Sequence, residues 1–214
     1  MKILVTGFDA FGGEKINPSI ETVKRLPDVI AGAEIIRLEI PTVCHKSLRA
    51  VEKAIEEYDP DVVLSIGQAG GRAEISVERI GINVDDFRIA DNEGNQFVDE
   101  PICPKGPDAY FVKVPIKAMV ARIRERNIPA CVSNTAGTFV CNHVTYGVCH
   151  MIAVRYPQKR SGFIHIPYLP EQTLDKRNMP SMSLEMMVEA VTAAIEAIVE
   201  NGQEDPYAYQ RQKR

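Results

Sequence analysis

The sequence predicts an α/β protein: a single domain built as a three-layer α/β/α sandwich around a mostly parallel mixed sheet. Three observations carry that prediction. Short apolar runs alternate with amphipathic helical stretches, which is the pattern of βαβ units. Runs such as Ile3-Leu4-Val5 and Val62-Val63-Leu64 suit strands covered on both faces. Glycine-rich turns follow these strands, where ligands of open parallel sheets bind. The 214 residues suffice for one domain with a sizeable core, residues 1–214, ending in a polar tail from about 203 to 214.

In chain order, Lys2 to Thr6 is the first strand; it is too short and too soon broken to read as a signal peptide. The turn Gly7-Phe8-Asp9-Ala10-Phe11-Gly12-Gly13 ends it. Asn17 caps a helix with Pro18 at its first position, running to about Leu26. Glu34 to Ile40 is a second strand, stopped by Pro41. An amphipathic helix covers Lys46 to Tyr58, and Asp61 to Ile66 is a third strand, followed by Gly67-Gln68-Ala69-Gly70-Gly71-Arg72. Ile75 to Phe87 reads as strand. Asp91 to Asp108, rich in Pro, Gly and Asn, is a surface excursion. A helix follows over about Pro115 to Asn127, then a strand at Ala130 to Ser133. Val140, Val144, Val148, Met151 and Ile152 recur at helical spacing. Gly162 to Ile166 is a further strand, and the last helix runs from about Ser183 to Asn201.

The net charge of −4, without a long basic run, excludes nucleic acid and anionic membrane as partners. No run of about 18 apolar residues is present, so no transmembrane helix is expected. Five cysteines at irregular spacing point to reduced thiols and a cytoplasmic setting.

Cys141 stands where the turn after Ser133 becomes a helix. A first-turn cysteine faces unpaired N–H groups and the positive dipole end, which favour a nucleophilic thiolate and can hold an oxyanion; a buried structural cysteine is the alternative. Cys141, His143, Cys149 and His150 lie close in sequence, but no pair of them has the i, i+4 spacing that lets one helix face grip a metal, so structural zinc is rejected. The same geometry keeps His143 from serving Cys141. His165, at the end of a strand before Pro167, is the candidate base, with a backbone-bonded core histidine as the alternative. Glu78, in phase with Ile80, Ile82 and Val84, points to the apolar side and needs a partner, either a histidine or an arginine such as Arg79 or Arg88. Gly7 and Gly12 have P-loop spacing without the lysine that meets outer phosphates. Phe8 and Phe11 on that turn line an apolar pocket, or else pack under the first helix.

Several blocks in order resemble the pyroglutamyl peptidase I (pyrrolidone carboxyl peptidase) family. They are Thr6-Gly7-Phe8-Asp9 with Phe11-Gly12-Gly13 and Asn17-Pro18-Ser19; Gly67 to Arg72; Glu78-Arg79 with Asn83; Arg88 with Asp91-Asn92; Asn134 to Gly137 with Phe139-Val140-Cys141-Asn142; and His165 to Pro170. The resemblance implies a cysteine peptidase, without cofactor or metal, that removes N-terminal pyroglutamyl residues from peptides. It implies Cys141 as nucleophile, His165 as base and then acid, and Glu78 as the residue orienting His165. Arg88 would help hold the oxyanion. Phe8, Phe11, Phe139 and Val140 would form the apolar pocket wall, with Asn17 and Gln68 near the lactam. It further implies a homo-oligomer, commonly a tetramer. Ala10 and Phe97 depart from the family, which often has proline there.

Pyroglutamate suits such a site. It is a flat, neutral, mostly apolar ring with no free α-amine, so an aromatic pocket with a few polar groups can select it. Two other classes share the sequence features: a phosphate-dependent nucleoside phosphorylase-like enzyme on a similar fold, and a non-catalytic pyroglutamyl-binding module.

Overall fold

The computed structural model describes residues 1–202; the polar tail expected beyond them lies outside the described residues. The elements are β1 (Lys2–Phe8), α1 (Pro18–Arg25), β2 (Val29–Ile30), β3 (Ala33–Ile40), α2 (Cys44–Tyr58), β4 (Val62–Gln68), β5 (Ile75–Glu78), β6 (Ile80–Ile82), β7 (Ala109–Phe111), α3 (Ile116–Glu125), β8 (Ala130–Ser133), α4 (Val140–Arg155), β9 (Arg160–Ile166) and α5 (Leu184–Asn201). A seven-stranded sheet has the order β2-β3-β1-β4-β9-β5-β8. Its β3, β1, β4 and β9 run parallel, and so do β5 and β8; β2–β3 and β5–β9 are the antiparallel pairs.

Alternate residues of the central strands feed two cores, because successive side chains leave a strand on opposite faces. Ile3, Val5, Leu64, Ile66 and Ile164 join the apolar sides of α1, α3 and α5. Leu4, Val63 and Phe163 join those of α2 and α4. The three layers expected are therefore present. Strands this deeply buried read as unbroken apolar runs, and the sequence signal for β1, β4 and β9 was strong for that reason.

Helix ends follow local chemistry where that chemistry is local. Asn17 caps α1, its Oδ1 accepting from Ser19 N at 3.0 Å. Ser183 caps α5. Helix α2 starts two residues earlier than expected, at Cys44. Its cap is distant in sequence: Asp91 Oδ2 accepts from Cys44 N at 3.0 Å, placing a carboxylate at the positive end of the helix. Asp91 also accepts from Glu93 N and Asn95 N, so one side chain folds the 91–95 turn and docks it on α2.

Three readings change. The strand expected over Ile75 to Phe87 is broken at Arg79: β5 remains in the main sheet, while β6 pairs antiparallel with β7 in a separate two-stranded sheet. The phase argument for Glu78 thus lacked its continuous strand. Glu78 is buried because all four residues of β5 are buried: Ile75 and Val77 face the core with α1, α3 and α5, and Ser76 and Glu78 the opposite side. Strand β7 begins just beyond the expected excursion, which ends at Asp108, and β2 is a two-residue edge strand followed by Ala31 and Gly32 at positive φ. Strands of two and three residues are too short to show a period.

Candidate active site

Glu78, His165 and Cys141 come from three separate elements: the end of β5, the end of β9 and the first turn of α4. His165 lies on β9, in register with Gly67 of β4 on one side and Ser76 of β5 on the other. Glu78 closes β5. Its Oε1 accepts from His165 Nδ1 at 2.8 Å, with Glu78 fully buried and His165 only 4% exposed. Cys141 is the second residue of α4 and is half-buried. Its sulfur packs on Gly67: a Cβ added there would lie 2.9 Å from Cys141 Sγ and 2.8 Å from Phe163 Cζ. Gly67, within β4, therefore opens the space that the thiol occupies, directly beside the strand carrying His165. Since Nδ1 of His165 is taken by Glu78, Nε2 is the nitrogen left to move protons. No side chain caps α4 at Phe139, so among the described residues its first-turn N–H groups are not met by an N-cap side chain.

The electrostatics differ from the expectation for a helix N-terminus. Burial pushes the Cys141 thiol up to about 12, the Glu78 charge adds to this, and Arg72 opposes it. Burial also holds His165 below its ordinary value against the pull of Glu78. Burial accordingly favours thiol and neutral imidazole as the resting pair. For Glu78, burial alone would favour the neutral acid. Hydrogen bonds from His165, Ser133 and Arg72 outweigh it and hold the carboxyl below its ordinary value. The partner of Glu78 is thus His165 together with Arg72, rather than Arg79 or Arg88; Arg79 donates to Asn134 instead.

A cavity of about 330 Å³ is lined by Phe11, Asp86, Arg88, Ile89, Thr138 and Phe139. The Phe11 and Phe139 rings are 6.0 Å apart, and Phe87 meets Phe139 edge-on at 4.6 Å. Phe8 and Val140 are buried beneath, in the core shared with Phe163. Of the two loop aromatics expected to line a pocket, Phe11 does so, whereas Phe8 ends β1 and packs 6.4 Å from Phe163. Asn17 is engaged within its own turn, Nδ2 donating to Asp9 O and Oδ1 accepting from Ser19. Gln68 ends β4, its Oε1 accepting from Gln172 Nε2 at 2.9 Å. The remaining zinc candidates disperse: His143 binds Asp85, Cys149 meets Ser161 and His150 meets Tyr110. Cys44, His45 and His143 do bring donor atoms within 4.8 Å of one another. The Cys44 sulfur, however, is 3.1 and 3.5 Å from the two ring nitrogens of His143, nearly equidistant and so not aimed along either lone pair.

The sequence model for pyroglutamyl peptidase matches residues 1–201. The chain belongs to the pyroglutamyl peptidase family. It is 64% identical over 205 residues to the pyrrolidone-carboxylate peptidase of Treponema denticola, covering 94% of each chain. It is 61% identical over 204 residues to that of Finegoldia magna, covering 95% of this chain and 96% of the relative. Among solved structures, the crystal structure of pyroglutamyl peptidase I from Bacillus amyloliquefaciens superposes with a TM-score of 0.89 at 50% identity, covering 92% of this chain and 95% of that one. A mutant pyrrolidone carboxyl peptidase from the hyperthermophile Pyrococcus furiosus gives 0.89 at 47% identity, covering 94% and 99%. Neither the phosphorolytic nor the non-catalytic alternative finds support in these matches.

In this member of the pyroglutamyl peptidase family, several residues that shape the site carried no sequence signal of their own. Asp9 Oδ1 accepts from Thr42 N and from Asn92 Nδ2, which also donates to Ala10 O, clamping the first turn to the 91–95 turn. Asp85 accepts from the buried His143 at 2.7 Å, holding the chain that leads to Arg88 against α4. Phe97, at the position where the family often has proline, packs edge-on against Phe87 at 5.3 Å. An Asp- and Asn-rich loop hints at such side-chain-to-backbone turns, but not at their distant partners.

Proposed function

We propose that this chain removes N-terminal pyroglutamyl residues from peptides, with Cys141 as nucleophile, His165 as general base and then acid, and Glu78 orienting His165. The observation that carries it is the buried Glu78–His165 hydrogen bond of 2.8 Å with the Cys141 sulfur seated on Gly67, the neighbour of His165 in register. His165 Nε2 takes the thiol proton as sulfur attacks the pyroglutamyl carbonyl. Arg88 and the free N–H groups at the start of α4 stabilise the oxyanion. His165 returns the proton to the leaving amine, giving a thioester, which water then hydrolyses with the same histidine as base. Phe11 and Phe139 wall the lactam pocket above Phe8 and Val140, with Asn17 and Gln68 supplying polar groups nearby. No cofactor is needed. The whole chain, 1–214, acts as one catalytic domain, and a homotetramer in a reducing cytoplasm fits the family resemblance and the five free cysteines. Light scattering on the purified chain tests the tetramer.

Hydrolysis of a fluorogenic pyroglutamyl amide beside the matching prolyl amide, with and without iodoacetamide, tests the whole reading. Cleavage of the pyroglutamyl substrate alone, abolished by alkylation, is expected; no cleavage by folded, reduced protein contradicts it.

Glu78→Gln is expected to lower kcat by about tenfold or more while KM stays within about twofold, because the amide misorients the imidazole and leaves the pocket intact. A change confined to KM would argue against an orienting role. The pH profile is a further expectation. His165 must be unprotonated to act as base, and burial holds its pKa below 6.5. The midpoint of the acid limb should therefore lie below pH 6.5. A midpoint of decline at or above that value would contradict a buried neutral histidine.

A further inference from the structure

Arg72 has no part in the reaction as described, yet its guanidinium bridges two segments that build the site. Its Nη1 donates to Glu78 Oε1 at 2.7 Å, and its Nη2 donates to Thr135 O at 3.1 Å. Thr135 lies in the loop that leads from β8 into Cys141. Glu78 Oε1 thus accepts from both His165 and Arg72, while the buried Oε2 has no partner among the described residues. A buried carboxylate is costly to keep charged, and a second donor on the same oxygen lowers that cost and fixes where the oxygen lies. The guanidinium fork can hold two acceptors at a set angle, which an ammonium on a flexible stem cannot. At 30% exposure the Arg72 side chain is itself partly withdrawn from solvent.

We propose that Arg72 is a positioning residue for hydrolysis: it holds the Glu78 carboxylate charged and aimed at His165, and through Thr135 ties it to the loop presenting Cys141. This rests on the roles proposed above for Glu78, His165 and Cys141. The charged and titratable groups facing His165 are Glu78 on β5, Arg72 on the β4–β5 turn and Cys141 on α4; Phe163 on its own strand is uncharged. Arg72 lowers the pKa of His165, whereas Glu78 raises it. Loss of Arg72 and loss of Glu78 should therefore move the acid limb of activity in opposite directions, which a merely structural contact would not do.

The test compares Arg72→Met, Arg72→Lys and Glu78→Gln for kcat, KM and the pH dependence of kcat/KM on a pyroglutamyl amide. Arg72→Met should lower kcat by about tenfold or more, the scale on which outer partners of a working histidine act. KM should barely change, and the acid limb should move to higher pH. Glu78→Gln should move that limb to lower pH. Arg72→Lys should restore the position of the limb, because it keeps the charge, without restoring full kcat. Unchanged kcat and an unmoved limb in Arg72→Met, beside a loss in Glu78→Gln, would overturn the role of Arg72 alone. Unchanged kcat in both would overturn the reading beneath it. Should Arg72→Met not fold, Arg72→Lys decides: kcat equal to the parent's overturns the need for the fork, and a lower kcat at constant KM supports it.

Discussion

Cys141→Ala is expected to leave a folded protein that no longer hydrolyses a pyroglutamyl amide, with kcat down by about 10⁴-fold or more. The thiol is the only atom group that forms a covalent bond in the proposed reaction, and neither His165 nor the free N–H groups of α4 can replace it. Those groups would still bind and polarise the substrate, so any residual rate should be that of slow water attack, at an unchanged KM. The fold has little at stake. Cys141 is half-buried in the first turn of α4, where alanine is a good helix former, and its sulfur makes no hydrogen bond among the described residues. Stability should change by no more than about 1 kcal/mol. Fluorogenic turnover together with a thermal melt checks both halves. Appreciable turnover by the variant would remove Cys141 from the role of nucleophile.

Gly67→Ala should also lower kcat, by less than Cys141→Ala but substantially, for a reason that lies in packing rather than chemistry. The added methyl would meet Phe163 Cζ at 2.8 Å and Cys141 Sγ at 2.9 Å, closer than carbon atoms normally approach either. Phe163 is fully buried against α2 and α4 and yields little, so the half-buried thiol at the helix start is the group that moves. A displacement of about 1 Å costs a reaction roughly 10²-fold, because attack depends steeply on the distance and angle to the carbonyl. Overpacking should also cost about 1–3 kcal/mol of stability. The measurement is kcat at saturating substrate, set beside the rate at which iodoacetamide alkylates Cys141. Wild-type kcat in a folded Gly67→Ala protein would mean that the sulfur works from somewhere other than its seat on Gly67.

These two positions show different degrees of visibility in the chain. Cys141 announces itself locally: an apolar strand, a turn of small residues, then helical spacing, with the cysteine in the first turn. Gly67 reads only as punctuation after a strand. What the missing side chain makes room for depends on two residues more than 70 positions away in the chain, and no periodicity records them. The Asp91 cap on α2 is similar. Its sequence neighbours suggest a turn, and the turn is there, but the helix it caps begins 47 residues earlier.

The layered α/β architecture was legible in the chain alone, because strands buried on both faces and helices buried on one leave distinct apolar periods. Cys141, His165 and Glu78 could be picked out as candidates because each breaks a local pattern: a cysteine in a helix's first turn, a histidine ending a buried strand, a carboxylate amid apolar neighbours, although the continuous strand assumed for Glu78 is broken at Arg79. How they combine depends on the tertiary fold. The crossing of β9 between β4 and β5 set His165 beside Gly67 and within 2.8 Å of Glu78. Burial then fixed the resting protonation, holding the thiol and the imidazole neutral where a helix terminus alone favours the thiolate. Desolvation and hydrogen bonding are properties of surroundings assembled from five separate segments, and a chain read one window at a time does not contain them.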